Sequence, residues 1–273
     1  VTATVAGLVV LGACGLLTTN RETFSDDSPV AEKIAAVRLD GLGSGSVRLR
    51  TQDGATGTTV HREVHYATNK PGVTQQVDGG DTLVLRGCGE NNCSVDYDVV
   101  APTGVKITGG VGSGSIELTK VAEADVRTSS GSVTARGVAG SVRVEVGSGS
   151  VTLSDVGGAA TVKSSSGSVA LDGVRGALAV QAGSGRIRGA NLGGDQADVK
   201  TSSGEIDLGF TTMASVTAQT GSGDVTLTVP KGNYRVAVDT NSGNRSVDVV
   251  QDPAATHALT LHTSSGDVAV KAA

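Results

Sequence analysis

A short motif returns through most of the chain. At Gly147-Ser148-Gly149-Ser150-Val151-Thr152-Leu153 a Gly/Ser turn runs straight into apolar/polar alternation. Equivalent stretches stand at 112–118, 129–135, 165–171, 183–189, 202–208, 221–227 and 264–270. The second glycine falls at Gly114, Gly131, Gly149, Gly167, Gly185, Gly204 and Gly223, at spacings of 17 to 19 residues. A degenerate copy follows at Gly243 and a good one at Gly266. A fixed period of this length predicts a repeat architecture.

Each repeat has an inside and an outside. Val151 and Leu153 alternate with Thr152, so they share one face of a strand. Val156 stands at a corner, and Ala160 and Val162 form a second alternating pair. The step from the last inward residue to the next motif is seven: Val126 to Val133, Val144 to Val151, Val162 to Val169, Val180 to Ile187. The Ser-Gly corner therefore has constant length. Variation gathers at the opposite corner, around Asp172-Gly173 and Gly193-Gly194, as expected when insertions are confined to loops on one side. A disordered Gly/Ser linker has no reason to keep Val, Ile or Leu in register after every Ser-Gly. The expectation is an all-β, single-stranded parallel β-solenoid with about 18–20 residues per rung. Neighbouring rungs lie roughly 4.8 Å apart. One rung cannot bury its apolar face alone, so only stacking supplies a continuous core.

Composition narrows the function. Aromatic residues make up 2% of the chain and tryptophan is absent, which argues against a deep aromatic-lined ligand pocket. The net charge is −5 with Lys and Arg scattered, unlike the basic stripe of a nucleic-acid binder.

Near the start, residues 5–14 form an apolar run ending in small residues and a cysteine. Leu11-Gly12-Ala13-Cys14 resembles the lipobox of bacterial lipoproteins. That resemblance implies lipidation of Cys14, removal of the segment before it, and attachment at the extracellular face of the cytoplasmic membrane. The run 1–17 is also close to the minimum length of an uncleaved membrane helix, the alternative reading. On either reading the body is exported. Residues 15–33 are polar and lack an apolar period, which predicts a flexible tether.

From 34 to 108 strands recur with a looser period, and Gly43-Ser44-Gly45-Ser46 is an early copy of the motif. This region is expected to cap the solenoid formed by 109–273, because a stack must protect its open edge. Cys88 and Cys93 frame a four-residue loop. In an exported protein the expectation is a disulfide. A metal site would need further ligands, and none lies nearby in sequence.

Candidate chemistry is sparse. His61 and His65 would share a strand face but supply at most half of a tetrahedral metal site. His257 and His262 flank the final strand pair on opposite faces. The residue after each motif glycine points outward. In chain order that column reads Ser115, Ser132, Ser150, Ser168, Arg186, Glu205, Asp224, Asn244, Asp267. Arg186, Glu205 and Asp224 form a candidate outward ligand face. Glu205 and Asp224 would lie roughly 5 Å apart, a separation compatible with a retaining-glycosidase pair or with Ca²⁺ held through oxygen. The plainer expectation is an exposed polar ladder with no catalytic residue, cofactor or metal. A threonine face along Thr128, Thr201, Thr220, Thr240 and Thr263 is interrupted by Val146, Ser164 and Ala182.

As a group, the motifs, Gly80-Asp81-Thr82-Leu83, the Cys88…Cys93-Ser94-Val95-Asp96-Tyr97 segment and Pro102-Thr103-Gly104 are similar to the bacterial β-strand-repeat "putative adhesin" family, over about 37–270. The resemblance implies surface display and contact, and it carries no catalytic residues. The functional expectation is an exported, membrane-anchored, non-enzymatic scaffold or adhesin-like module. Its partners would be the membrane, through the lipid, and a cell-wall, glycan or protein surface. The alternative is a polysaccharide-binding or polysaccharide-degrading solenoid. An enzyme would need a long loop forming a cleft, and the candidates are 230–234 and 251–257.

Overall fold

The computed structural model describes residues 21–89 and 92–273. The signal segment 1–14, including Cys14, lies outside them. The chain opens with Glu22–Val30 (β1), Ala36–Leu42 (β2) and Val47–Gln52 (β3). Thr58–Tyr66 (β4), Gln75–Asp78 (β5), Thr82–Arg86 (β6) and Ser94–Pro102 (β7) follow. Strands then come in pairs, one on each side of a Ser-Gly corner. They are Lys106–Val111 and Ile116–Thr119 (β8, β9), Glu123–Ser130 and Val133–Val138 (β10, β11), and Val142–Ser148 and Val151–Val156 (β12, β13). Next come Ala160–Ser166 and Val169–Val174 (β14, β15), Leu178–Ser184 and Ile187–Leu192 (β16, β17), and Gln196–Ser203 and Ile206–Phe210 (β18, β19). The last are Ser215–Ser222 and Val225–Val229 (β20, β21), Asn233–Ser242 and Arg245–Val247 (β22, β23), Val250–Gln251 (β24), and Ala258–Ser265 and Val268–Ala272 (β25, β26).

These strands form two 13-stranded sheets, one in the order β1-β4-β7-β3-β9-β11-β13-β15-β17-β19-β21-β26-β23. The other runs β24-β22-β25-β20-β18-β16-β14-β12-β10-β8-β2-β6-β5. Each lap of the chain gives one strand to each sheet, and successive laps pair in parallel, as a β-solenoid requires. The core is a set of columns. Val133, Val151, Val169, Ile187, Ile206, Val225 and Val268 stack in register, and all are buried. Facing them, Val126, Val144, Val162, Val180, Val199, Ala218 and Leu261 do the same. Small branched aliphatics suit this narrow space, since each side chain must fit between identical neighbours one lap above and below.

The Ser-Gly corner admits nothing larger. Gly149 has φ +141°, and a Cβ there would strike the Gly131 carbonyl oxygen of the previous lap. The opposite corner needs a left-handed residue at Lys120, Gly137, Asp155, Gly173 and Asn191, with φ between +52° and +68°.

Both ends depart from chain order. The β2–β3 lap lies between the β6–β7 and β8–β9 laps. The final lap, β25–β26, lies between β20–β21 and β22–β23. The penultimate lap in sequence is thus outermost in space. Its inward residues Val236, Val238 and Val247 are only partly buried, and Arg245 occupies the register position that Val268 fills in the neighbouring lap.

The opposite end is closed by antiparallel strands. β4 pairs with β7, β5 with β6, and β1 with β4 from Glu22 opposite Tyr66 to Val30 opposite Thr58. This corrects the tether expectation for 22–30, which are strand. Phe24 and Val30 are half-buried, and Phe24 meets Tyr66 edge-on with ring centroids 5.9 Å apart. Cys88 and Cys93 are joined as a disulfide, with Cα atoms 5.9 Å apart.

Candidate functional site

The outward corner column owes its chemistry to a gap in the ladder. From Gly131 onward, in every lap but the outermost, the glycine and the following aliphatic donate their N–H groups to the next lap, as Gly131 does to Ser148 O (2.9 Å) and Val133 to Ser150 O (3.0 Å). In five laps a side chain of the preceding lap accepts from the amide between them. Ser132 Oγ accepts from Ser150 N (3.3 Å), and Ser46 Oγ from Ser115 N (3.2 Å). Asp96 Oδ1 accepts from Ser46 N (2.7 Å) and Asp224 Oδ1 from Asp267 N (2.8 Å). Asp267 Oδ1 accepts from Asn244 N at 2.8 Å. A side-chain oxygen here satisfies a backbone donor that would otherwise lack a protein partner.

That pattern decides the candidate face. Arg186 Nε donates to Glu205 Oε2 at 2.8 Å, with both side chains more than a third exposed. Asp224 turns instead to the backbone of Asp267. Arg186, Glu205 and Asp224 do follow one another up the column, but the two carboxylates have separate partners. The order after Asp224 is Asp267 and then Asn244, the reverse of chain order, because the last lap is inserted. Among the described residues, no group of three or more His, Cys, Asp or Glu side chains is placed to hold a metal ion.

The threonine column faces inward, not outward. Thr128, Thr201, Thr220 and Thr263 are buried, and Thr128, Thr220, Thr240 and Thr263 donate their hydroxyls to corner glycine carbonyls at 2.9–3.3 Å. Parity demands this: Thr128 lies two residues beyond the inward Val126. The candidate cleft loops are packed turns. Tyr234 is buried and donates its hydroxyl to Pro230 O (2.9 Å), while Asp252 accepts from Asn233 Nδ2 (3.3 Å) and Ala254 N (2.9 Å).

His61 and His65 do share a face of β4, where each contacts β1. His61 Nδ1 is 2.8 Å from Asp27 Oδ1, and His65 Nδ1 is 2.9 Å from Thr23 Oγ1. Beside them a groove of about 490 Å³ includes Arg48, Glu63, Asp96, Asp98 and Glu117. Two of its carboxylates are ion-paired, Glu117 with Arg48 at 3.1 Å and Asp98 with Arg50 at 2.7 Å.

Sequence reasoning missed the polar lock behind this face. Arg62 is buried and grips both oxygens of Asp26, Nε to Oδ1 at 2.7 Å and Nη2 to Oδ2 at 2.8 Å. Its Nη1 donates to Gly72 O and Thr74 Oγ1. The hydrogen bonds of Arg62, helped by its charge, hold the Asp26 carboxyl below its ordinary pKa against the opposing effect of burial. Tyr97 donates to Arg86 O at 2.7 Å, and burial raises its phenol pKa. The missed signal was again parity. In Val60-His61-Arg62-Glu63-Val64, Arg62 takes an inward position.

A groove of about 790 Å³ lies on the outer face of the β10–β18 sheet. One side is the ladder Arg127, Glu145, Lys163 and Gln181, in register from lap to lap, with Lys163 Nζ 3.8 Å from Glu145. Small residues such as Gly147 and Ser165 lie beside it.

These features define a parallel β-solenoid that presents ordered polar columns. The chain belongs to the Toastrack DUF4097 family, whose model matches residues 42–271. A crystal structure described as a putative adhesin from Bacteroides fragilis superimposes with a TM-score of 0.50 at 14% identity, covering 91% of this chain and 97% of that one. One from Parabacteroides distasonis, described in the same way, gives 0.45 at 15% identity, with 91% and 97% covered. A third, described as a putative lipid binding protein from the same species, gives 0.36 at 16% identity, with 92% and 97% covered. At these identities the likeness is one of fold. No curated protein matches the chain.

Proposed function

We propose that this protein is an exported, membrane-anchored, non-enzymatic surface scaffold that binds an extended polar partner of the cell envelope. The observation that carries the reading is the groove along Arg127, Glu145, Lys163 and Gln181, where side chains of mixed charge repeat at every lap beside hydroxyls and bare backbone. A periodic surface suits a periodic ligand, such as a glycan chain, because each lap presents one polar side chain roughly every 4.8 Å. The names of the structural neighbours and the lipobox-like stretch ending at Cys14 support placement at the extracellular face of the cytoplasmic membrane. The ion-paired state of Glu205 and the packed turns at 230–234 and 251–257 favour binding over hydrolysis.

Two measurements test this. Cys14→Ser should abolish incorporation of labelled palmitate in a bacterial host and release the protein from the membrane. The double variant Arg127→Ser/Lys163→Ser should lose about tenfold in affinity for isolated cell-wall polysaccharide with its melting temperature unchanged. Equal binding by the variant and the parent would remove the groove from the account.

A further inference from the structure

We propose that the C-terminal lap is a latch: β25–β26 enters last, by insertion beneath a cap already in place, and leaves by the same route. The cap is the β22–β23 lap with β24, and it is built to stack on either of two neighbours. In the closed molecule β22 pairs with β25 and β25 with β20. Through that shared register Val236 matches Val216, Val238 matches Ala218, Thr240 matches Thr220, and Ser242 matches Ser222. Without the last lap, the cap can therefore settle on β20–β21 with these four columns kept in chemical type. The connection at 230–232 allows both positions. Spanning two laps needs roughly 9.6 Å, and four Cα steps reach about 13 Å.

Arg245 closes the third route. If 258–272 stacked outside the cap, the Arg245 position would be sandwiched between Val225 and Val268. A guanidinium there would be buried without a carboxylate, a heavily disfavoured state. At the outer end it stays exposed and donates to Val238 O at 3.4 Å. The more apolar lap thus goes inside, where Leu259, Leu261, Val268 and Val270 are fully buried. The lap with the charged inward position remains outermost, as edges commonly require. Asp267 fastens the closed state on both sides, donating its N–H to Asp224 and accepting from Asn244.

Native-state hydrogen exchange on the full chain distinguishes a latch from ordinary fraying. In a latch, the cap re-forms its ladder on β20 when the last lap leaves. Amides of 259–270 should then exchange about tenfold faster than those amides of 236–240 that are bonded to β25, although the latter lie nearer the end of the stack. Residues 216–229 should stay protected. If 236–240 exchange as fast as 259–270 or faster, the stack simply opens from its outer end and the proposal fails.

Discussion

Two residues before each corner glycine, the choice between glycine and serine governs how consecutive laps fit. Through the stack that position reads Gly112, Ser129, Gly147, Ser165, Gly183, Ser202, Gly221, Ser264. A Cβ on Gly221 would lie 2.6 Å from the Ser202 carbonyl oxygen, and Gly147 and Gly183 face the same obstruction from Ser129 and Ser165. Laps are therefore matched in pairs. Gly221→Ser should destabilise by about 1–3 kcal/mol through overpacking, whereas Ser165→Gly should cost no more than about 1 kcal/mol. Urea denaturation of the two variants measures the difference. This alternation also bears on what could be read in advance. In chain order the corners run Gly221-Ser222-Gly223-Asp224, Asn241-Ser242-Gly243-Asn244, Ser264-Ser265-Gly266-Asp267. Only the third continues the alternation after the first, so the insertion left a mark in the sequence. Reading the column in chain order hid it. The inward columns, by contrast, were legible at once, because alternation over Val151, Thr152 and Leu153 depends only on local strand geometry.

Among the elements, β1 was the one least visible beforehand. Its residues are mostly polar, include Pro29, and find their partners far along the chain, from Glu22 opposite Tyr66 to Val30 opposite Thr58. Local pattern cannot report such contacts. Its attachment rests on Asp26 with Arg62, Glu22 with Tyr66 at 2.6 Å, and Ser28 with Gln75 at 3.0 Å. Because Arg62 lowers the Asp26 pKa, the pair stabilises the strand above the unfolded carboxylate pKa of about 3.9. That contribution is lost as pH falls through the lower folded value. Exchange of the β1 amides, corrected for intrinsic rates, should therefore rise below about pH 4 more steeply than exchange of β13. Arg62→Ala should abolish that difference and loosen β1 by about 1 kcal/mol at neutral pH. The figure sits below the usual cost of breaking a buried pair because Asp26 is 40% exposed and screened by water.

For the whole molecule, pairing of laps sets a rule for length. Removing 147–182, two laps, joins Val146 to Gly183 and preserves both the inward columns and the Gly/Ser alternation. That shortened chain should fold with an unchanged far-ultraviolet circular dichroism per residue. Removing 147–164 alone puts Ser165 where Gly147 meets the Ser129 carbonyl, and should give a less cooperative thermal transition. The two tucked ends govern something else. A tug on Ala273 does not reach the tip of the stack. It falls on a strand flanked by β21 and β23, and Ala273 N is itself bonded to Val229 O at 2.8 Å. Drawing that strand out means shearing two ladders together, where an exposed terminal strand would unzip one bond at a time. The rod should therefore yield abruptly at high force.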